Sequence, residues 1–319
     1  MLRSLSHLLV PSILSLLLSS YLLSFFFSRS DVMTAHLRTG FSIPLVGLGT
    51  YKIVGDDVKP CVDAALKAGY RLFDTAKYYK NEPELGAALE ELTPQYGVKR
   101  EDLFLTTKFF PDKDNVAEGA RDKVEESLKN LRTTYLDMVM IHYPKSDFRE
   151  NEDPENKQAR KDIYLELEKL KDEGKIRSIG VSNYEVRHIE EIKDYGKEMP
   201  VANQVEYHPH FTRQELKDYC KQEGIFFQAF SSLGRQEPAL INDDDLVAIA
   251  KEKDVSVQLV LLAWALSQGV GIVPKSASPQ RIIDNWKVNN VSLTDEEIDR
   301  LASKNRGQHY IRCTGWLVQ

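Results

Sequence analysis

The chain has 319 residues, 42% hydrophobic and 28% charged, an ordinary balance for a globular protein and not that of a disordered one. A formal net charge of −6 leaves no nucleic-acid footprint, and three scattered cysteines without C-x-x-C spacing fit a reducing compartment better than a disulfide or thiolate-metal framework. The seven histidines include the pair His208 and His210 in HPH, but no H-x-x-x-H or H-E-x-x-H, so no metal site is expected.

The N-terminus departs from this balance. Residues 8–27, LLVPSILSLLLSSYLLSFFF, are about long enough to span a bilayer and follow Arg3, although Pro11 and five serines dilute them. Residues 1–30 are therefore set apart from a domain at 33–319, which Met33 could itself begin. Three readings of the segment stay open: a signal anchor that attaches the protein to a membrane, a cleaved secretory signal, or an extension absent from the working protein. The expected location is the cytoplasm, or a membrane with the domain facing the cytosol.

From Met33 the chain alternates. HLRTGFSIP (36–44) reads as a hairpin around Thr39-Gly40, and LVGLG (45–49) as a short apolar strand. VKPCVDAALKAG (58–69) has helical spacing and stops at Gly69. Strands then follow at 70–74, 102–108, 135–142, 176–183, 201–206, 225–230 and 269–274, and helices at 82–92, 115–131, 159–175, 185–195, 212–224 and 279–287. Strand–helix alternation predicts a parallel sheet buried on both faces. Eight units of about 30 residues favour an α/β fold of the closed (β/α)8, or TIM barrel, type over an open doubly wound sheet. The leading hairpin is expected to plug it.

In such barrels the chemistry sits where strands end. The ends are Gly49, Asp74, Lys108, His142, Ser182-Asn183, Gln204 with Glu206, Phe230-Ser231, and Pro274-Lys275. Each has an ordinary reading: Asp74 as a helix cap, Lys108 as a surface lysine, His142 as a satisfied core histidine. Asp74, Tyr79, Lys108 and His142 together, near the ends of strands two, three and four, point to a site instead. A phenol alone exchanges protons poorly at neutral pH, but a buried lysine beside it favours the phenolate and a buried carboxylate keeps that lysine charged. The set suits proton donation to a carbonyl oxygen while a cofactor delivers hydride. No G-x-S-x-G elbow is present, which disfavours acyl transfer.

GLGTYK and GVGIVP lack the third glycine of a dinucleotide fingerprint. Lys275, Ser276 and Arg281 form an alternative anion site at the last strand end, and two cations suggest a 2′-phosphate, hence NADP(H) over NAD(H). An ordinary basic loop is the competing reading.

GYRLFDTAKYYKNE (69–82), DMVMIHYP (137–144), IGVSNY (179–184) and IVPKSASPQRIIDN (272–285), in that order on a (β/α)8 pattern, resemble the signatures of the aldo-keto reductase family over nearly the whole domain. The resemblance implies Asp74, Tyr79, Lys108 and His142 as the catalytic tetrad. It implies Ser182, Asn183 and Gln204 as the clamp for the nicotinamide carboxamide, Phe230 as the stacking ring in place of the usual tyrosine, and Gly49, Thr50 and Asp74 beside the cofactor. Ser231 and Leu233 fall at the pyrophosphate, and Lys275, Ser276, Arg281, Asp284 and Asn285 at the adenosine end. Substrate would meet Tyr51, Tyr79, Phe110, His142, Tyr143 and Trp316. Tyr51, Phe110 and Tyr143 stand where tryptophans are usual, and Trp316 either replaces a longer specificity loop or packs on the barrel. The implied activity is NADPH-dependent reduction of aldehydes and ketones, with ordered binding, a small-molecule substrate, no nucleic acid and a monomeric protein. An intracellular cofactor disfavours secretion. The alternative is an NADPH-binding regulatory module resembling channel β-subunits.

Overall fold

A computed structural model describes residues 32–312 and 314–319 of the chain, and the segment 8–27, with the question of membrane attachment, lies outside the described residues. Among those residues no helix is long and apolar enough to cross a membrane. Strands β1 (Thr34–His36) and β2 (Ser42–Pro44) pair antiparallel as the expected hairpin, with Gly40 at φ 85° in its turn, a conformation that favours glycine.

Eight parallel strands follow: β3 (Gly47–Gly49), β4 (Leu72–Asp74), β5 (Phe104–Phe109), β6 (Met138–Ile141), β7 (Ile179–Ser182), β8 (Ala202–Glu206), β9 (Phe226–Phe230) and β10 (Gly271–Ile272). Each pairs with the next in the sequence, and parallel bridges Val46–Ile272 and Gly49–Lys275 close the ring. The fold is a (β/α)8 TIM barrel with an N-terminal hairpin. The last strand is only two residues long where six were expected. Pro274 has no N–H to continue the ladder, and the seam to β3 is carried by single bridges.

Helices α1 (Val58–Ala68), α2 (Glu82–Leu92), α3 (Val116–Asn130), α4 (Glu155–Asp172), α5 (Val186–Glu190) and α6 (Gln214–Gln222) connect the first seven strands. α7 (Pro238–Ile241), α8 (Asp244–Glu252) and α9 (Val257–Leu266) fill the last crossover, and α10 (Pro279–Trp286) and α11 (Asp295–Ala302) follow it. α4 starts at Glu155, earlier than the periodicity indicated. α7, α8, α9 and α11 carry no counterpart in the sequence reading.

Side-chain parity explains how this fold places a site. Leu72, Phe104, Met138, Met140 and Ala202 point into the barrel, where they pack with the hairpin residues Ala35, Leu37 and Ile43. Phe73, Leu105, Val139, Val181 and Val205 point outward against the helices. Strand side chains alternate with period two. Two or four residues beyond the inward apolar positions come Asp74, Lys108, His142 and Gln204, also inward but one or two layers higher. The hairpin therefore closes an apolar floor, and the same strands carry polar side chains to the C-terminal mouth.

Candidate active site

Asp74 and Lys108 meet inside the barrel. Lys108 Nζ lies 2.5 and 2.6 Å from the two carboxylate oxygens of Asp74, and the lysine is fully buried. Gln204 Nε2 donates to Asp74 Oδ2 at 2.8 Å and to Gln228 Oε1 at 2.7 Å, so the carboxylate is held from two strands. Burial pulls Lys108 below its ordinary value of 10.5, against the Asp74 carboxylate, which pushes it up.

Tyr79 ends a 3-10 turn, Lys77–Tyr79, just past β4. Lys108 Nζ is 5.4 Å from the centroid of the Tyr79 ring, and the His142 ring stands edge-on to it at 5.9 Å. The expected cationic amine, phenol and imidazole thus share one place. Burial first, and the Lys108 ammonium second, hold His142 well below the ordinary imidazole value of 6.5, so the ring is neutral at pH 7. Its Nδ1 is buried with no hydrogen-bond partner among the described residues.

Tyr51 packs on Tyr79 with ring centroids 5.1 Å apart, and Phe110 stacks on His142 at 4.6 Å and approaches Tyr143 at 6.3 Å. Tyr51 and Phe110 thus stand against rings of the tetrad, and Tyr143 lies beside Phe110. Tyr78, 56% exposed, touches Phe110 at 5.7 Å and extends the wall outward. Trp316 makes no ring contact with the tetrad among the described residues. Its ring contacts are with Phe211 (5.5 Å), His309 (5.0 Å) and the Arg213 guanidinium (5.4 Å), beside the Arg213–Glu185 ion pair. That is the barrel-packing alternative. The tail nonetheless reaches the site through its backbone: a Cβ on Gly315 would collide with the carbonyl oxygen of Asn183.

Ser182, Asn183 and Gln204 are joined by hydrogen bonds. Ser182 Oγ donates to the Gln204 carbonyl at 2.8 Å, and Asn183 Nδ2 donates to the His142 carbonyl at 3.0 Å and to Ser182 Oγ at 3.1 Å. Both amide hydrogens of Gln204 and the Nδ2 group of Asn183 are therefore engaged within the protein. Asn183 and Ser231 hold left-handed backbone at φ 61° and 51°, a strain that the surroundings must maintain. Gly49 donates to the Pro274 carbonyl at 3.1 Å, and Thr50 donates twice to the Asp74 carbonyl, each at 3.0 Å, which ties the first strand end to the tetrad. Phe230 is half-buried at the end of β9, opposite Glu206, and Leu233 packs on the core.

At the far end, Lys275 and Arg281 are exposed and make no ion pair among the described residues. Ser276 and Asn285 are buried beside them, and Ser278 caps α10 by accepting from Arg281 N. Two uncompensated cations at a helix start suit a phosphate. Asp284 is engaged by Lys287 at 2.6 Å and by Gln280 at 3.2 Å, which competes with any contact to an adenine amino group.

Gln228, and the parts that Glu82 and Glu206 play, escaped the sequence reading. Gln228 is buried inside the barrel and orders Gln204; its signal is its inward parity in IFFQAF. Glu82 accepts from Thr107 Oγ1 (2.6 Å), Ser127 Oγ (2.8 Å) and Lys77 Nζ (3.2 Å), fixing the base of the Tyr79 turn. Glu206 is buried and accepts from His208 Nε2 (3.0 Å) and from the backbone N–H groups of Tyr310 (2.6 Å) and Ile311 (3.2 Å), so it anchors the tail. No group of ligands suited to a metal ion occurs among the described residues.

Residues 45–306 match the model of the aldo/keto reductase family. The chain is 39% identical to the glyoxal reductase of Bacillus subtilis (strain 168) over 86% of its own length and 94% of the relative's. It is 33% identical to the NAD(P)H-dependent D-xylose reductase of Kluyveromyces lactis, over 89% and 96% of the two chains. Among solved structures, the aldose reductase of Schistosoma japonicum superposes with a TM-score of 0.80 at 32% identity, covering 88% of this chain and 95% of that one.

Proposed function

The chain belongs to the aldo/keto reductase family, and from that premise we propose that it reduces small aldehydes and α-dicarbonyls with NADPH, Tyr79 supplying the proton. NAD(P)H-dependent carbonyl reduction is the family's reaction; the preference for NADPH, the substrate class and the residue roles are the parts proposed. The regulatory-module reading gains nothing from the relatives.

The residues present fit the cofactor. Gln204 Oε1 and Asn183 Oδ1 would receive the carboxamide, Phe230 would stack on the nicotinamide, and Gly49, Thr50, Ser231 and Leu233 would line its length. Lys275, Ser276, Arg281 and Asn285 would hold the adenosine 2′-phosphate end. When bound, the reduced nicotinamide supplies hydride to the carbonyl carbon. The Tyr79 hydroxyl gives its proton to the carbonyl oxygen. Lys108 stabilises the phenolate left behind, and Asp74 keeps Lys108 cationic in a dry site. Neutral His142 orients the carbonyl oxygen by a hydrogen bond. All of these groups come from one barrel, which supports a monomer as the working unit.

The observation that carries this reading is the buried Asp74–Lys108 pair with its ammonium 5.4 Å from the Tyr79 ring centroid. The aromatic walls favour compact aliphatic, aryl and dicarbonyl substrates, in keeping with the glyoxal reductase among the relatives. The test is oxidation of NADPH and of NADH, followed by absorbance, against a panel of aldehydes, ketones and α-dicarbonyls. Turnover with NADPH on several small aldehydes supports the reading. Tight NADPH binding with no turnover on any of them refutes it.

A further inference from the structure

The Tyr79 turn and the loop that carries Tyr51 are joined by one side chain. Asn81 is fully buried. Its Nδ2 donates to the carbonyl of Thr50 at 2.9 Å and to the carbonyl of Ile53 at 2.7 Å, and its Oδ1 accepts from Thr75 Oγ1 at 2.7 Å. Both amide hydrogens are used: Thr50 and Ile53 bracket Tyr51, and Thr75 follows Asp74 in the segment that leads to the Tyr79 turn.

The two joined segments are strained. Lys52 has φ 58° and Lys80 has φ 54°, left-handed backbone at non-glycine residues, each next to a site phenol. Such conformations persist only where the surroundings over-determine them. The backbone supplies part of the restraint, since Ile53 N donates to the Thr50 carbonyl and Tyr79 N to the Ala76 carbonyl. The Asn81 side chain adds hydrogen bonds that tie one strained segment to the other, beside the Tyr51–Tyr79 ring contact.

We propose that Asn81 is a positioning residue for carbonyl reduction, setting the Tyr79 hydroxyl against Lys108 and the Tyr51 ring against Tyr79 through the Thr50, Ile53 and Thr75 hydrogen bonds. The inference rests on the proton-donor reading of Tyr79. An aspartate at 81 is nearly isosteric but turns an acceptor toward two carbonyl oxygens, so the tie becomes a repulsion. The cofactor clamp at Ser182, Asn183 and Gln204 shares no hydrogen bond with Asn81 and is left intact.

The test measures single-turnover reduction of a small aldehyde by prebound NADPH for wild type, Asn81→Asp, Thr75→Val and Tyr79→Phe, with NADPH affinity, aldehyde KM and the pH profile alongside. Asn81→Asp is expected to slow reduction about 10²-fold, the size of effect that a displacement of about 1 Å produces. NADPH affinity falls by less than the rate, because Thr50 is the one proposed cofactor-lining residue that Asn81 bonds, and the alkaline limb of the rate moves because the phenol has left the ammonium. Thr75→Val, which removes only the orienting hydroxyl, is expected to slow reduction in the same sense but less. A purely structural role would lower the amount of NADPH-binding protein without moving the rate per bound NADPH or the pH profile, and that result overturns the proposal. If Asn81→Asp fails to bind NADPH at all, Thr75→Val decides: a wild-type rate per bound NADPH overturns it. Full activity in Tyr79→Phe defeats the proton-donor reading itself. Inactive Tyr79→Phe with normal Asn81→Asp and Thr75→Val defeats the Asn81 inference alone.

Discussion

Lys108 and Asp74 form a salt bridge of 2.5 Å inside the barrel, with neither side chain more than 3% exposed. A buried charge pair contributes little net stability, because desolvation offsets most of the attraction, but removing one partner leaves an uncompensated charge. The pair is therefore better explained by what the ammonium does to its neighbour than by what it adds to the fold.

Asp74→Asn should leave that ammonium without its counter-charge. Lys108 would then fall further below its ordinary value, because burial would no longer be opposed by the carboxylate. Destabilisation of about 3–5 kcal/mol is expected. Denaturant unfolding reads the stability, and the reduction rate of the folded fraction should drop with it. A variant as stable and as active as wild type would show that the pair is not charged.

NADPH preference should reside at the adenosine end. Lys275→Ala and Arg281→Ala each remove a charge-assisted contact of about 1.5–3 kcal/mol. NADPH affinity should weaken by about tenfold or more for each, while NADH affinity barely changes. Titration of both cofactors by fluorescence checks it, and equal losses for the two would place the 2′-phosphate elsewhere.

Gly315 has no room for a side chain against the Asn183 carbonyl oxygen. Gly315→Val should lift the tail or push Asn183, with an overpacking penalty of about 1–3 kcal/mol. Because Asn183 also holds the His142 carbonyl, both cofactor affinity and aldehyde KM should change. Normal values for both would mean that the tail and the clamp move independently.

Acid should destabilise the barrel through buried neutral histidines. Burial lowers His188 to about 3 and His210 to about 4, from 6.5. The unfolded chain binds these protons first, so stability is complete above pH 6.5 and falls as pH drops toward those values. Each histidine contributes a slope of at most about 1.4 kcal/mol per pH unit. His188 Nδ1 accepts from Glu185 N at 3.1 Å and Nε2 meets the Val318 carbonyl at 2.9 Å, so its protonation breaks the cap beside the tail. His188→Gln should flatten the pH dependence of the unfolding midpoint between about pH 6 and 4 by the share of one group. An unchanged slope would contradict the assignment.

The alternation of strands and helices was legible because each strand is a short apolar run and most helices have a polar face. The candidate site was legible because Asp74, Lys108 and His142 interrupt those runs at inward positions. α9, VQLVLLAWAL, escaped because it is apolar on every side: Leu259 through Ala265 are all buried, so no helical period shows. α11 escaped although its capping box, Thr294 with Glu297, is written in the sequence. Gln228 and Asn81 were illegible as site residues because their partners come from other strands and loops, and only register and a closed ring bring them together. Trp316 was ambiguous for a similar reason, since the side on which a tail lies depends on anchors such as Glu206, Arg187 and His188, which bond its backbone.

The central claim is that the Tyr79 hydroxyl is the proton source for carbonyl reduction, tuned by Lys108. Tyr79→Phe removes only that oxygen and keeps the ring between Tyr51 and His142. Single-turnover reduction by prebound NADPH should fall by about 10²–10⁴-fold with NADPH affinity unchanged. An undiminished rate would contradict the account.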